Sequence, residues 1–237
     1  MDRRKRRLGA VLILVLISFF VSLSNSRNTP QIDTNNVQVN SAETANLLKA
    51  IDALGQLEIK GRSPKTGYSR DQFGNGWANM GGCDTRNLVL QRDLTDKILD
   101  EDNCLVLKGK LQDPYTAQEI DFFRGVQTSQ AVQIDHVVAL SDAWQKGAQF
   151  ILPDKRLALA NDSLNLLAVD GPANMKKGDG DAATWLPPNK AYRCRYVARQ
   201  IAVKARYKLW ITGAEHDAMS RILTTCPDQR LPLEQPQ

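Results

Sequence analysis

The stretch from Gln133 to Leu140, Gln-Ile-Asp-His-Val-Val-Ala-Leu, sets a carboxylate and an imidazole side by side in a run of β-branched and aliphatic residues. Such a run favours a strand, and a strand that buries an Asp-His pair must supply it with partners. Downstream, Leu164 to Val169 is a second apolar run of strand length. Asp170-Gly171-Pro172 has turn chemistry, and Pro172 and Asn174 suit the first turn of a helix. A strand, a second strand, a turn and a helix in that order point to an α+β fold that holds Asp135 and His136 on a rigid element.

The chain has only two histidines, so a reaction that needs imidazole near neutral pH has few candidates. His216 stands in Gly213–Asp217, the polar opening of a final helix, and reads as a surface residue. His136 is different. In a regular strand its ring and the Asp135 carboxylate lie on opposite faces. The ring is then free to take a proton from water, while Asp135 offers a hard anionic oxygen and Asn174 a neutral carbonyl oxygen. That donor pair suits Mg²⁺ or Mn²⁺, with water and a substrate phosphate completing the shell. Two further carboxylates keep two readings each. Asp142 is an N-cap for a segment starting at Ala143 or a group near the metal, and Asp179, after a glycine, is loop or a metal neighbour. Arg86 follows Asp84-Thr85, an N-cap signal, so a helix starting there either aims Arg86 at a phosphate or leaves it as a surface arginine.

The order of these segments resembles the ββα-metal, or HNH, nuclease motif, in which a first strand carries a general-base His and a metal-binding His or Asn opens the helix. Asn165 precedes Asn174 by the interval seen in zinc-stapled HNH domains, and Lys177-Gly178 follows. Those relatives carry a Cys-x-x-Cys staple where this chain has Asp170 and Ala173, so no structural zinc is expected and something else must hold the turn. The closest likeness is to the C-terminal domain of GmrSD-type restriction endonucleases and to a secreted branch of the HNH family. It is carried by Ile134 to Trp144, Asn161 to Leu166, Gly171 to Asn174 with Lys177 to Asp179, Trp185 to Pro188 and Tyr192 to Cys194. In the secreted branch Gly82 to Asn87 and Arg92 to Leu94 also recur. The likeness spans roughly residues 66–212 and implies a nuclease with His136 as general base and Asn165 orienting it. Asp135 and Asn174 would hold the ion, and a nucleic acid, DNA before RNA, would be the substrate.

Charge needs care. The chain has 31 basic and 26 acidic residues, but Arg3 to Arg7 precede an apolar stretch with only Asp2 to oppose them. Without those residues, 26 basic and 25 acidic remain. Distribution says more than the total. Lys176, Lys177, Lys190, Arg193, Arg195, Arg199, Lys204, Arg206 and Lys208 face only Asp179 and Asp181 over the same span. A basic stripe beside the metal motif suits phosphate binding, with Lys176, Lys177 and Arg193 as candidates. The same segment also has Tyr192, Tyr196, Val197, Ile201, Ala205 and Leu209 near helical spacing, so it reads equally as an amphipathic helix.

Arg3–Arg7 and the apolar residues to Leu23 read as an export signal or signal anchor over 1–24, leaving the remainder outside the cytoplasmic membrane. Any membrane contact would run through that segment. Residues 25–43 have the composition of a flexible tether; residues 44–226 are enough chain for one core, which the resemblance implies is a nuclease domain with its core motif at 130–212, and 227–237 are left as a tail. No obligate protein partner is evident. Cys83, Cys104, Cys194 and Cys226 lack metal-site spacing and suit two disulfides in an oxidising compartment. Sequence order favours Cys83–Cys104 and Cys194–Cys226 among three connectivities. Finer expectations are a helix from Thr44 to Ile59, loop over Lys60–Gly82, helix over Asn87–Leu99, a strand over Cys104–Gly109 and a turn at Asp113-Pro114. From another class, a catalytically silent extracytoplasmic binding module on the same scaffold remains open, as does a membrane-anchored domain that binds wall polymer. Intact Asp135, His136, Asn165 and Asn174 weigh against a silent relative.

Overall fold

The computed structural model describes residues 48–126 and 128–232. The signal and tether expectations over residues 1–43, and the start of the Thr44–Ile59 helix, lie outside them. From Ala50 to Leu54 that helix is present as α1 and buries Ala50, Ala53 and Leu54. Lys60–Gly82 is largely irregular, with a 3-10 turn at Arg70–Phe73 and the short strand β1 at Asn79–Met80. That strand pairs antiparallel with β2, Cys83–Asp84.

Helix α2, Thr85–Asp93, starts where the sequence signals a cap: the Asp84 carboxylate accepts from Asn87 N at 2.7 Å. It ends earlier than its expected limit at Leu99. Leu94–Leu99 is strand β3, which pairs antiparallel with β4, Val106–Gln112, with Leu94 opposite Leu111 and Leu99 opposite Val106. Tertiary pairing overrides a local helical preference here. Strand β5, Glu119–Phe123, completes the meander, and the turn at Asp113-Pro114 joins it to β4, with Asp113 Oδ2 accepting from Thr116 N at 2.7 Å.

The second sheet carries Asp135 and His136. Strand β6, Val132–His136, pairs antiparallel with β7, Leu166–Asp170, with Asp135 opposite Leu167 and His136 opposite Leu166. Between them lie helices α3, Leu140–Gln145, and α4, Pro153–Asn161. The unbroken apolar run of β7 is explained by burial on both faces. Leu167 and Val169 enter one core cluster with α1 and the C-terminal helices, while Leu166 and Ala168 enter another with α2 and the meander.

Helix α5, Gly171–Lys177, follows β7 and packs on both strands. Asp170 Oδ1 accepts from Ala173 N at 2.7 Å, and Asp113 Oδ1 accepts from Asp170 N at 2.9 Å. The two positions that hold a Cys-x-x-Cys staple in zinc-bearing relatives are thus joined by a helix cap. Gly171 has a steric reason too, since a Cβ there would collide with the Gln130 carbonyl oxygen.

Helices α6, Arg193–Tyr207, and α7, Gly213–Leu223, close the domain. The segment expected as a tail is partly built in. Ala50 N donates to Gln229 O, Leu231 N donates to Leu48 O, and Leu231 packs against the core. Cys83 is bonded to Cys104 and Cys194 to Cys226. The first bridge ties the entry of α2 to the start of β4, and the second ties α6 to the segment after α7. Among the described residues no helix is long and apolar enough to cross a membrane.

Candidate active site

Strand alternation sends the side chains of Asp135 and His136 to opposite faces of β6, as a regular strand requires. Asp135 meets the core around Tyr115 and His136 meets Trp77 and the end of α4. Even so, both residues border one cleft of about 230 Å³, shared with Tyr68, Arg70, Asn174 and Asp179. Three sequence candidates, Asp135, His136 and Asn174, therefore converge, and Asp179 joins them.

His136 is 8% exposed. Its Nε2 lies 2.9 Å from the Ala160 carbonyl oxygen. A carbonyl only accepts, so Nε2 carries the hydrogen and the neutral ring keeps its lone pair on Nδ1. Burial, with the positive charges of Arg70 and Lys177, lowers the ring's pKa to about 3 against the pull of the Ala160 bond. At neutral pH the imidazole is uncharged, as a proton acceptor must be.

This has a consequence for stability. Between pH 6.5 and about 3 the unfolded chain binds a proton that folded His136 refuses, so folding weakens as pH falls. In EDTA, the unfolding free energy is expected to drop between pH 6.5 and 4.5 with a slope approaching about 1.4 kcal/mol per unit. The slope should flatten in His136→Gln. Denaturant titrations across that range check it, and equal slopes in both proteins would refute it.

Asn165 makes no hydrogen bond to the imidazole, so any orienting role is indirect. Its Oδ1 accepts from Val138 N at 2.8 Å, and its Nδ2 donates to the carbonyls of Val138 and Leu159 at 3.3 Å. It clamps the backbone just after His136 to the turn of α4 that presents Ala160, so the ring is held by Ala160 and only indirectly by Asn165. The loop bearing Asn165 is itself pinned. Arg92 and Arg199 both donate to the carbonyls of Ser163 and Leu166.

Asp135 is fixed at both oxygens: Lys177 Nζ donates to Oδ1 at 2.8 Å and Tyr115 OH to Oδ2 at 2.5 Å. Burial raises its pKa, and Lys177 and Tyr115 oppose the rise. Lys177 is a correction to the sequence reading, because its ammonium is buried between Asp135 and the His136 carbonyl and cannot reach a substrate phosphate. Asn174 Nδ2 donates to Gln133 Oε1 at 2.9 Å, leaving Oδ1 without a hydrogen bond to any described residue, at the cleft.

By type, these oxygens are ligands that a hard divalent ion takes. Each carboxylate oxygen of Asp135 keeps a lone pair beyond the bond it accepts, and the free amide oxygen of Asn174 adds a neutral ligand. One anionic and one neutral oxygen with a water-filled remainder is a Mg²⁺-like set. Among the described residues no group of three or more His, Cys, Asp or Glu side chains gathers as a metal site. An ion here would therefore keep several waters.

The remaining candidates lie elsewhere. Arg86, on the first turn of α2, is partly buried with its pKa lowered by burial and by Arg124, and it does not border that cleft. Arg193 Nε donates to Pro187 O, whereas Lys176 is exposed on α5. The basic stripe is largely consumed by the fold: Lys177 and Lys204 are buried, Arg199 caps carbonyls and Arg206 pairs with Asp162. Lys176, Lys190, Arg195 and Lys208 stay exposed. Asp142 is not an N-cap, a place held by Ala139. It is buried, with Arg62 at 3.0 Å, Lys146 at 2.7 Å and Lys204 at 3.3 Å. Asp179 pairs with Lys65 at 3.0 Å. His216 bonds its neighbour Asp217 on the surface, as its sequence context suggested.

Sequence reasoning missed Tyr68, Arg70, Trp77 and Ala160. The first three sit in the Gly-rich loop of residues 60–82, where an arginine among scattered aromatics was the available signal. A backbone carbonyl such as Ala160 leaves none.

The chain is 37% identical over 188 residues to an uncharacterized secreted protein of Arthroderma benhamiae, a match covering 78% of this chain and 86% of that one. No solved structure matches. The family described as GmrSD restriction endonucleases, C-terminal domain, matches residues 84–222, which include β6, β7 and α5. The chain belongs to that family.

Proposed function

We propose that this protein is an exported, metal-dependent nuclease that hydrolyses phosphodiester bonds, with His136 as general base. The observation that carries the proposal is the convergence of Asp135, His136 and Asn174 on one cleft. Export is supported by the two disulfides, which are rare in the cytosol, by the charged and apolar N-terminal sequence, and by the relative named as secreted.

The residues divide the work. Ala160 holds Nε2–H of His136, so Nδ1 receives the proton of the attacking water. Tyr115 and Lys177 fix the Asp135 carboxylate, and Gln133 fixes the Asn174 amide so that Oδ1 faces outward. Asp135 and Asn174 would hold the ion, which when bound neutralises charge on the phosphate and the leaving oxygen. Purified protein incubated with plasmid and with RNA, with and without Mg²⁺ or Mn²⁺, tests the reading. Cleavage that EDTA stops is expected, and intact substrate under every condition would sink it.

Ion holding can be separated from proton transfer. Asn174→Ala removes one neutral ligand, so activity should fall and recover in part as Mg²⁺ is raised, because occupancy was lost. Asp135→Asn removes the anionic ligand and should need more Mg²⁺ than Asn174→Ala. Activity measured against Mg²⁺ concentration decides, and an Asn174→Ala curve that plateaus low at every concentration would refute the ligand role.

A further inference from the structure

A second cleft, of about 110 Å³, also borders His136. Its walls are Phe73, Trp77, Leu140 and Ala160, with Gly74 and Gly76 supplying bare backbone. The Trp77 ring lies parallel to the His136 ring, 9° between planes and 5.8 Å between centroids. Arg70 borders both clefts, is exposed, and has no hydrogen bond or ion pair with another described residue. An unpaired guanidinium thus stands where the two clefts meet beside the candidate base, while the aromatic cleft has room for one planar ring system and not for a duplex.

We propose that the Trp77 cleft is a nucleobase subsite, so that the substrate presents an unpaired nucleotide whose phosphate lies between Arg70 and His136. The inference rests on the nuclease reading above and names its substrate class: single-stranded or locally unpaired nucleic acid. A phosphate held by Arg70 at the junction puts its own sugar and base within reach of the adjoining cleft. An aromatic contact from Trp77, whose ring lines the cleft while stacked on His136, is sequence-tolerant, since every base has a π-face. In a duplex the bases are stacked and paired, and one must be extruded before it can enter such a pocket; a single strand avoids that cost. Arg70 matches the phosphate in charge and fork geometry.

Three substrates of one sequence test the proposal: a single strand, the same strand with one abasic position, and the blunt duplex. With wild-type protein, the single strand is expected to be cut at least about 10-fold more efficiently than the duplex. Trp77→Ala should raise KM on the single strand by about 10-fold or more, and Trp77→Phe should restore most of it. Cutting next to the abasic position should be weak in wild type and no weaker in Trp77→Ala, because both remove the same contact. Arg70→Ala should weaken binding of all three substrates and lower the salt slope by about 1.

Equal cutting of strand and duplex overturns the proposal. So does a Trp77→Ala variant that loses kcat at unchanged KM on intact and abasic strands alike, since Trp77 would then only brace His136. Anisotropy of the fluorescein-labelled strands in EDTA keeps the two readings apart. Binding that depends on Trp77 without cleavage retains the subsite and removes the nuclease, whereas cleavage without strand preference does the reverse.

Discussion

Replacing His136 by alanine is expected to lower phosphodiester cleavage by about 10²–10⁴-fold, the usual contribution of a general base, while the protein still folds and still binds nucleic acid. The expectation follows from how little of the fold hangs on this ring. Its one polar side-chain bond is to the Ala160 carbonyl, and its ring stacks on the half-buried Trp77. The companion His136→Gln retains a donor for Ala160 but has no basic nitrogen to accept a proton, so it should be as inactive as the alanine variant and more stable. Raised Mg²⁺ should rescue neither, in contrast to Asn174→Ala. Single-turnover rates with circular dichroism as a folding control settle it. Turnover near the wild-type rate in either variant would remove His136 from the mechanism.

The part of this site that could be read in the sequence is the part carried by side chains on regular elements. Asp135 and His136 on β6, and Asn174 on the first turn of α5, follow from period-two alternation and from a proline-led helix start. What escaped has a different physical origin. Lys177 looks like every other lysine of a basic stretch until α5 docks on β6 and buries its ammonium against Asp135. Arg199, on α6, is consumed by a separate contact, its guanidinium reaching three carbonyls of the Asn165 loop. A local charge pattern cannot separate a solvated face from one that later meets unpaired carbonyls. Arg70 and Trp77 arrive from a loop with no period at all, and the β3–β5 meander was hidden because Leu94–Leu99 is as plausible a continuation of α2 as it is a strand. Non-local pairing made that choice.

Lys146→Met is expected to destabilise the domain by about 3–5 kcal/mol, the cost of breaking a buried ionic cluster by removing one member. Lys146 is fully buried at the end of α3, and its ammonium lies 2.7 Å from Asp142, 2.8 Å from Asp181 and 2.6 Å from Glu215. Lys204 on α6 adds a second buried cation, 2.7 Å from Glu215, and Arg62 a third positive charge at the edge. Three carboxylates and three cations balance, so losing Lys146 leaves an excess of buried negative charge. Burial pushes Asp181 up, yet Lys146 and Arg62 hold it down at about 2, and that pull is lost in the variant. The cost lies in the imbalance and not in the missing bonds. Lys146→Met combined with Glu215→Leu should therefore recover much of the lost stability, whereas either change alone should not. Urea titrations of the three variants measure this, and a single Lys146→Met within about 1 kcal/mol of wild type would refute it. Activity should follow stability for a structural reason. The cluster joins α3, which carries Leu140 of both clefts, to the loop from Asp179 to Asp181 and to α7, so its loss loosens one wall of the site while leaving Asp135, His136 and Asn174 chemically intact.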